Sequence, residues 1–294
     1  MSTMVPLAPM PRLIGGRVFD FSRQVAVMAV INRTPDSFYD RGATFALDAA
    51  IAATRKAVTD GADWVDIGGA KFAPGEAVPV AEEINRVVPI VAAMAESGTI
   101  VSVDTFRPEV ARASIDAGAH VINDTTGGRD SALIDVVADS DATLVIAHSL
   151  ALPRTPYPSP QYGDVVAEVG DFLRERADAA MKRGIPAERI VIDPGHDLNK
   201  NTLHSLELTR RLGEIAAIGL PVLAAVSNKD FIGESLGRDR GERVVGSIAA
   251  MVYCITQGAR IVRMHNVVEA VDAVRMTEAI LGFRQPTFLS HNID

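Results

Sequence analysis

Eight short apolar runs, rich in β-branched residues, recur along this chain, and most are followed by a segment of helical periodicity. The runs are Val25–Ile31, Trp64–Ile67, Ile100–Val103, His120–Ile122, Thr143–Ala147, Arg189–Ile192, Val222–Val226 and Arg260–Met264. Among the helical patterns between them are Ala46–Asp60, Val80–Ser97, Pro108–Ala117, Val165–Arg183, Leu203–Ile218, Glu242–Gln257 and Val267–Leu281. Starts are marked by Thr44, Pro79, Arg107-Pro108 and Asn266, and many ends by glycine: Gly61, Gly98, Gly118, Gly184, Gly219 and Gly258. Strand and helix alternating eight times predicts a parallel (β/α)8 barrel, an α/β fold. The 294 residues suffice for one such barrel or for two ordinary domains. With no low-complexity linker and no shift in composition, one domain is expected: a tail and hairpin over 1–24, then a barrel over 25–294. The segment Arg12–Ser22 reads as a hairpin about Gly15-Gly16 that closes the bottom of the barrel, and residues before Met10 read as loose.

Each predicted strand ends in a polar or charged residue: Asn32, Asp66, Asp104, Asn123, His148, Asp193, Ser227 and Arg263. In a parallel barrel these ends converge on the C-terminal face, where active sites are built. The first is the most pronounced. An apolar strand runs into Asn32-Arg33-Thr34-Pro35-Asp36-Ser37-Phe38, delivering polar side chains and a proline-stiffened turn at its end. Thr-Pro-Asp-Ser is also ordinary turn chemistry, with Asp or Ser as a helix cap. Recurrence at the other strand ends favours a ligand.

The formal charge of −8 gives no support to nucleic-acid or anionic-membrane binding, so any anionic ligand must be held by a local cluster of basic groups and amides. The single cysteine, Cys254, lies in an apolar helical run, has no partner for an internal disulfide and fits a reduced, cytoplasmic setting. No stretch is long enough to span a membrane, and no signal-peptide pattern opens the chain.

The segments Asn32-x-Thr34-Pro35-Asp36-Ser37-Phe38, Asp66-Ile67-Gly68-Gly69, Ser102-Val103-Asp104-Thr105, Ile122-Asn123-Asp124, Asp193-Pro194-Gly195, Ser227-Asn228-Lys229 and Arg263-Met264-His265 occur in the order found in dihydropteroate synthases. From the first strand onward the chain resembles that family, whose (β/α)8 members join a dihydropterin methyl diphosphate to p-aminobenzoate and usually dimerise. The resemblance implies that Asp104, Asn123 and Asp193 bind the pterin and that Lys229 approaches its ring carbonyl. It implies that Asn32 contacts Mg2+ and the diphosphate, with Arg263 and His265 clamping the phosphates. Lys229 and Arg263 are then the residues nearest to a catalytic role, through charge stabilisation of the leaving diphosphate without a covalent intermediate. Carboxylates and amides on neighbouring strands suit the in-plane donors and acceptors of a pterin. Read alone, Asp193-Pro194-Gly195 is also a turn, and Asn123-Asp124 also a cap.

Four places depart from the family pattern. Where it reads Gly-Gly-Glu-Ser-Thr-Arg-Pro-Gly, this chain has Gly68-Gly69-Ala70-Lys71-Phe72-Ala73-Pro74-Gly75, losing hydroxyls and an arginine; a charge-assisted hydrogen bond contributes about 1.5–3 kcal/mol. Lys71 restores a charge without the bidentate geometry. Where it reads Ser-Arg-Lys-Ser, this chain has Ser227-Asn228-Lys229-Asp230; Asp230 either caps the following helix or sets an internal carboxylate where the aminobenzoate carboxylate is expected at a helix N-terminus. Where it reads Gly-Phe-Gly-Phe-Gly-Lys, this chain has Gly195-His196-Asp197-Leu198-Asn199-Lys200, losing an aromatic wall. His196, Asp197 and His204 match no standard metal-ligand spacing. Ala147-His148-Ser149 in place of Met-His-Met makes a pterin wall polar.

The changes gather on the aminobenzoate side (Lys71, Phe72, Asp230), and the chain most resembles the divergent second synthase copy of actinobacteria, with which it shares Ser-Asn-Lys-Asp and Leu-Pro-Arg-Thr. Three readings follow. One is a pterin binder with synthase activity weak or lost, open to p-aminobenzoate or sulfone and sulfonamide analogues. Another is an active synthase with a remodelled second loop, and the last is another pterin-dependent transferase barrel. The resemblance implies a homodimer.

Overall fold

The computed structural model describes residues 11–33, 46–95 and 97–292. The Thr34–Phe38 stretch, Thr44 and the residues through Met10 lie outside the described residues. The chain opens with an antiparallel hairpin, β1 (Arg12–Ile14) and β2 (Arg17–Phe19), turning through Gly15 and Gly16, both at positive φ. Eight parallel strands follow: β3 (Ala26–Asn32), β4 (Trp64–Gly68), β5 (Ile100–Asp104), β6 (Val121–Asp124), β7 (Thr143–Ala147), β8 (Ile190–Asp193), β9 (Val222–Ala224) and β10 (Ala259–Met264). They close in the order β10-β3-β4-β5-β6-β7-β8-β9, the (β/α)8 barrel expected.

Side chains alternate faces along a strand, and in a barrel one face is the interior. Val27 and Ala29 of β3, Val65 and Ile67 of β4, and Val101 and Val103 of β5 join the core between barrel and helices. The intervening residues form a second core inside the barrel: Met28, Trp64, Ile100, Val121, Val145, Val191, Leu223 and Ile261. Ile14, Phe19 and Phe21 of the hairpin region complete that inner layer from below. Phe19 stacks on Phe21 at 5.6 Å and meets Trp64 edge-on at 5.7 Å between centroids. Arg12 ties the hairpin down by donating to the carbonyls of Ala187 (2.6 Å) and Ile190 (3.1 Å). Two residues further up several strands, in phase with these apolar residues, stand Asp66, Ser102, Asn123, Asp193 and Arg263. The period-2 pattern that fills the bottom of the barrel with hydrocarbon thus aims its polar residues into the upper interior.

The helices are α1 (Leu47–Thr59), α2 (Val80–Ala95), α3 (Pro108–Asp116), α4 (Ser131–Ala138), α5 (Val165–Lys182), α6 (Thr202–Arg210), α7 (Leu212–Ala216), α8 (Asp230–Leu236), α9 (Val244–Thr256) and α10 (Val267–Ile280). The segment expected as one helix over Leu203–Ile218 is two, broken at Arg211 (φ −107°, ψ 22°). The helix expected after Asp230 is α8, and the short α4 is not among the helical patterns named from the sequence, being too short to show sustained periodicity. His120 and Arg189 precede their strands rather than begin them. Cys254 is buried in α9, where burial pushes its thiol up to about 12, an inert core residue. No described helix is long and apolar enough to cross a membrane.

Candidate functional site

The strand ends open on a cavity of about 500 Å3 at the C-terminal mouth. Its floor is one hydrogen-bonded network centred on Asp66, which is fully buried. Asp66 Oδ1 accepts from Ser102 Oγ at 2.6 Å, and Oδ2 accepts from Asn123 Nδ2 at 3.2 Å and from Arg263 Nε at 2.6 Å. Arg263 also reaches Asp104 Oδ2 through Nη2 at 3.4 Å. A buried carboxylate is tolerated when its oxygens are satisfied in this way, and removing one partner strands the other. Burial, and then the neighbouring Asp66 carboxylate, push Asp104 up to about 7, while Arg263 opposes the rise. Asn123 lines the cavity, and its Oδ1 is buried with no hydrogen-bond partner among the described residues.

Asp193 stands in the cavity wall at the end of β8 and accepts from the Gly195 amide at 2.7 Å, so it is both turn residue and site residue. Burial raises its pKa against the Gly195 bond and the charge of Lys229. Asn123 and Asp124 divide the two roles expected of them. Asn123 faces the cavity, whereas Asp124 is a turn cap, bonded to the amides of Thr126 (2.7 Å) and Gly128 (2.6 Å). Asn32 and His265 line the mouth, and His265 Nδ1 lies 3.0 Å from Ser227 Oγ.

The loop after β4 forms one side of the rim. Arg86 donates to the Gly69 carbonyl at 2.8 Å, and a Cβ at residue 69 would stand 2.8 Å from Val87 Cγ2, so the loop leaves the barrel where only glycine fits. Beyond it Lys71, Phe72, Ala73 and Pro74 line the cavity. A strap from the loop after β7 holds this segment. Arg154, itself at φ 67°, donates Nη1 to the Ala73 carbonyl (2.7 Å), Nε to the Glu76 carbonyl (2.9 Å) and its amide to the Phe72 carbonyl (2.9 Å).

The loop after β8 forms the opposite side. Lys200 is buried and donates to the carbonyls of Gly195 (3.0 Å) and Leu198 (3.1 Å), with His148 Nδ1 at 2.8 Å. Desolvation lowers Lys200 to about 7; His148 falls to about 2, and fully buried His196 to about 3, also chiefly through desolvation. Asn199 Oδ1 accepts from the amides of Leu150 (3.0 Å) and Ala151 (2.9 Å), stapling this loop to the one after β7. Asp197 staples it on the other side: Oδ2 accepts from the amides of Asp230 (2.5 Å) and Phe231 (3.4 Å), and Oδ1 from Ser205 Oγ (2.9 Å).

Asn32, Asp104, Asn123, Asp193, Lys229, Arg263 and His265 therefore share one cavity with Lys71, Phe72 and Asp230. Two of the eight strand-end residues do not line it. Asp66 lies one layer below, and His148 is out of phase with the inward Val145, so it packs edge-on against Phe172 at 4.8 Å. Ser149, expected to make the pterin wall polar, is buried and donates to the carbonyls of Thr125 and Ala151 instead. The internal carboxylate expected from Asp230 is also reassigned. Asp230 pairs with Arg243 (2.8 Å) and Arg240 (3.2 Å) at the rim, while Asp197 takes the amides at the start of α8. Among the described residues no group of three His, Cys, Asp or Glu side chains could hold a metal ion. Arg154, Asp197, Asn199 and Lys200 are rim residues whose roles sequence reasoning missed. The loops that Arg154, Asp197 and Asn199 hold lie far along the chain, Lys200 closes its own loop, and the one local signal is the replacement of alternate glycines at 197 and 199.

A family model described as pterin binding enzyme matches residues 28–265. The chain is 46% identical over 268 residues to inactive dihydropteroate synthase 2 of Mycobacterium tuberculosis, covering 89% of this chain and 84% of that protein. It is 38% identical over 261 residues to the dihydropteroate synthase of Escherichia coli, covering 88% and 93%. Among solved structures, Xanthomonas albilineans dihydropteroate synthase with 4-aminobenzoic acid superposes with a TM-score of 0.85 at 40% identity, covering 93% of this chain and 99% of that one. With its eightfold barrel, its cavity and these relatives in agreement, the chain belongs to the pterin-binding enzyme family, as a dihydropteroate-synthase-like member.

Proposed function

We propose that this protein binds a dihydropterin in the inner half of the cavity and that its ordinary synthase activity is weak or lost. The observation that carries this reading is the contrast between a complete polar floor and a rim rewritten by the chain's own contacts. Asp104, Asn123 and Asp193 offer acceptors and an amide to the edge of a flat heterocycle, with the Lys229 ammonium beside Asp193. Asn32, Arg263 and His265 stand where a diphosphate would meet positive charge and donors. Because Arg263 is committed through Nε and Nη2 to two carboxylates, its charge rather than a two-pronged grip is what it offers the phosphates. Stabilising the negative charge that develops on a leaving diphosphate is the chemistry this set supports.

A Mg2+ ion fits only as a companion of that diphosphate. Asn32 would supply one amide oxygen, and the remaining ligands would be phosphate oxygens and water, as magnesium commonly arranges them. We also infer a homodimer, for which exposed apolar side chains on α9 (Val245, Tyr253) and α10 (Val268, Met276, Ile280) supply a face; light scattering at micromolar concentration checks it. The hairpin and barrel are taken as one folding unit, since Ile14, Phe19 and Phe21 complete the barrel interior.

Calorimetry with dihydropterin methyl diphosphate and Mg2+, beside complementation of a strain lacking dihydropteroate synthase, tests the reading. Binding without growth rescue is expected. Robust rescue would return the protein to the active synthases, and absence of any pterin binding would remove the proposal altogether.

A further inference from the structure

The loop after β8 carries left-handed backbone at three alternate positions: Gly195 (φ 68°), Asp197 (φ 62°) and Asn199 (φ 49°). Glycine occupies this region without strain, and Asp and Asn are the side chains that tolerate it best. Two of the three positions nonetheless carry side chains, and each side chain is spent on backbone amides of a neighbouring loop or helix. Asp197 differs from Asn199 in its charge. Its carboxylate lines the cavity and already holds the two amides at the start of α8 together with the Ser205 hydroxyl. Neighbouring Asp230 is neutralised by Arg240 and Arg243.

The same outer half is walled by flat or apolar groups, Phe72, Pro74, Tyr157 and Leu198, which suit a ring. Asp197 lines the same cavity, next to Leu198, so a ring held among these groups has the aspartate carboxylate as a neighbour. If it carried a carboxylate, it would have to displace Asp197 from three donors or lie against it as a like charge. A ring ending in an amide or an ammonium group could instead donate to Asp197. The solved synthase with 4-aminobenzoic acid shows that a related barrel accepts the carboxylate-bearing amine.

We propose that the outer half of this cavity takes an aromatic amine whose far end is an uncharged or cationic hydrogen-bond donor, and that Asp197 is the specificity residue that disfavours a carboxylate there. The proposal rests on the reading that the inner half holds a pterin.

The protein saturated with 6-hydroxymethylpterin is titrated by calorimetry with 4-aminobenzamide and with 4-aminobenzoate. The wild type is expected to favour the amide at least tenfold. Asp197→Asn, which removes the charge and keeps the size, and Asp197→Gly, which suits the left-handed backbone and frees the amides, are each expected to cut that preference at least tenfold. Thermal melts establish that both variants fold. A wild type that prefers the carboxylate, a preference unchanged in both variants, or binding of neither compound to any of the three proteins overturns the proposal. Failure of 6-hydroxymethylpterin itself to bind falls on the pterin reading, and the same titrations without pterin then decide the role of Asp197 by themselves.

Discussion

Replacing Asp104 by asparagine should stabilise the free protein above neutral pH while weakening its hold on a pterin. The carboxyl is pushed up to about 7 from an ordinary 3.8, chiefly by burial and by Asp66. A group that binds its proton more tightly folded than unfolded costs stability once the unfolded form ionises. Its contribution is therefore most favourable below about pH 4, falls as pH rises towards 7, and is constant above that. At 1.36 kcal/mol for each tenfold change in proton affinity, the full cost is about 4 kcal/mol. Asparagine escapes it but forfeits the 3.4 Å contact with Arg263, which still keeps Asp66 at 2.6 Å. That loss is about 1 kcal/mol, and relaxation around the ionised carboxylate reduces the gain further. A net gain of about 2 kcal/mol at pH 8 remains, equivalent to a Tm rise of about 4 °C in a chain of this size.

At pH 5 the unfolded carboxyl is ionised and the folded one still protonated, so only about 1.7 kcal/mol of the cost has accrued; the lost Arg263 contact and relaxation offset most of it, and the substitution should leave Tm within about 1 °C. Thermal melts of both proteins at pH 5 and pH 8 give the comparison. Asp193 and Asp197 are also raised by burial, and their contributions cancel in the difference between variant and wild type, whereas Glu83 and Asp124, whose charges repel that of Asp104, are relieved in the variant and act in the same direction as its gain. His148 and His196, at about 2 and about 3, stay neutral throughout. A variant that melts lower at pH 8, or whose Tm differs from wild type by the same amount at both pH values, would refute the argument that Asp104 is held in the floor at an electrostatic cost.

Three further outcomes are expected. Arg154→Ala removes two hydrogen bonds to the carbonyls of Ala73 and Glu76, so amide exchange across residues 70–76 should quicken by about tenfold while Tm moves little; unchanged exchange would show that the strap does not hold the loop. Arg263→Lys cannot span Asp66 and Asp104 together, so stability should fall by about 1–3 kcal/mol in denaturant unfolding and affinity for a pterin diphosphate by about tenfold or more. Phe19→Ala opens a cavity at the barrel bottom and should cost about 3–5 kcal/mol, yet leave pterin affinity within about threefold, because the hairpin lies at the end of the barrel away from the mouth.

The barrel was legible in the sequence because its signal is periodic and repeated: every strand is a short apolar run, and the inward residues can be counted from one another. The same count explains one misreading. Val145 faces inward, so Ala147 shares its phase and His148 does not; a strict alternation along β7 places His148 in the helix layer, where it meets Phe172 and Lys200. Asp66 is in phase but two residues short of the mouth, since Gly68 pairs there with Asn32 and Asp104. The rim was not legible in this way. Which carboxylate reaches the α8 amides depends on where residue 197 lies relative to residue 230, and that distance is set by the barrel rather than by any local pattern. Asp230 was the nearer candidate in sequence, but Arg240 and Arg243, on the far side of α8, draw it away.

The division between an intact floor and a rewritten rim follows from how each is bonded. In the floor, side chains hold side chains: Asp66 alone satisfies Ser102, Asn123 and Arg263, so replacing one member strands the others in a buried place. On the rim, side chains mostly hold backbone. Asn199 caps two amides, Asp197 caps two more, and the Arg154 guanidinium takes two carbonyls, and none of these partners depends on the neighbour's side chain. A new acceptor or donor can enter such a position whenever the backbone conformation permits it, and left-handed positions suited to glycine permit Asp and Asn with little strain. The chemistry of the outer half can therefore change one loop residue at a time, each change adding its own contact, while the inner half keeps its ligand chemistry or loses it as a unit.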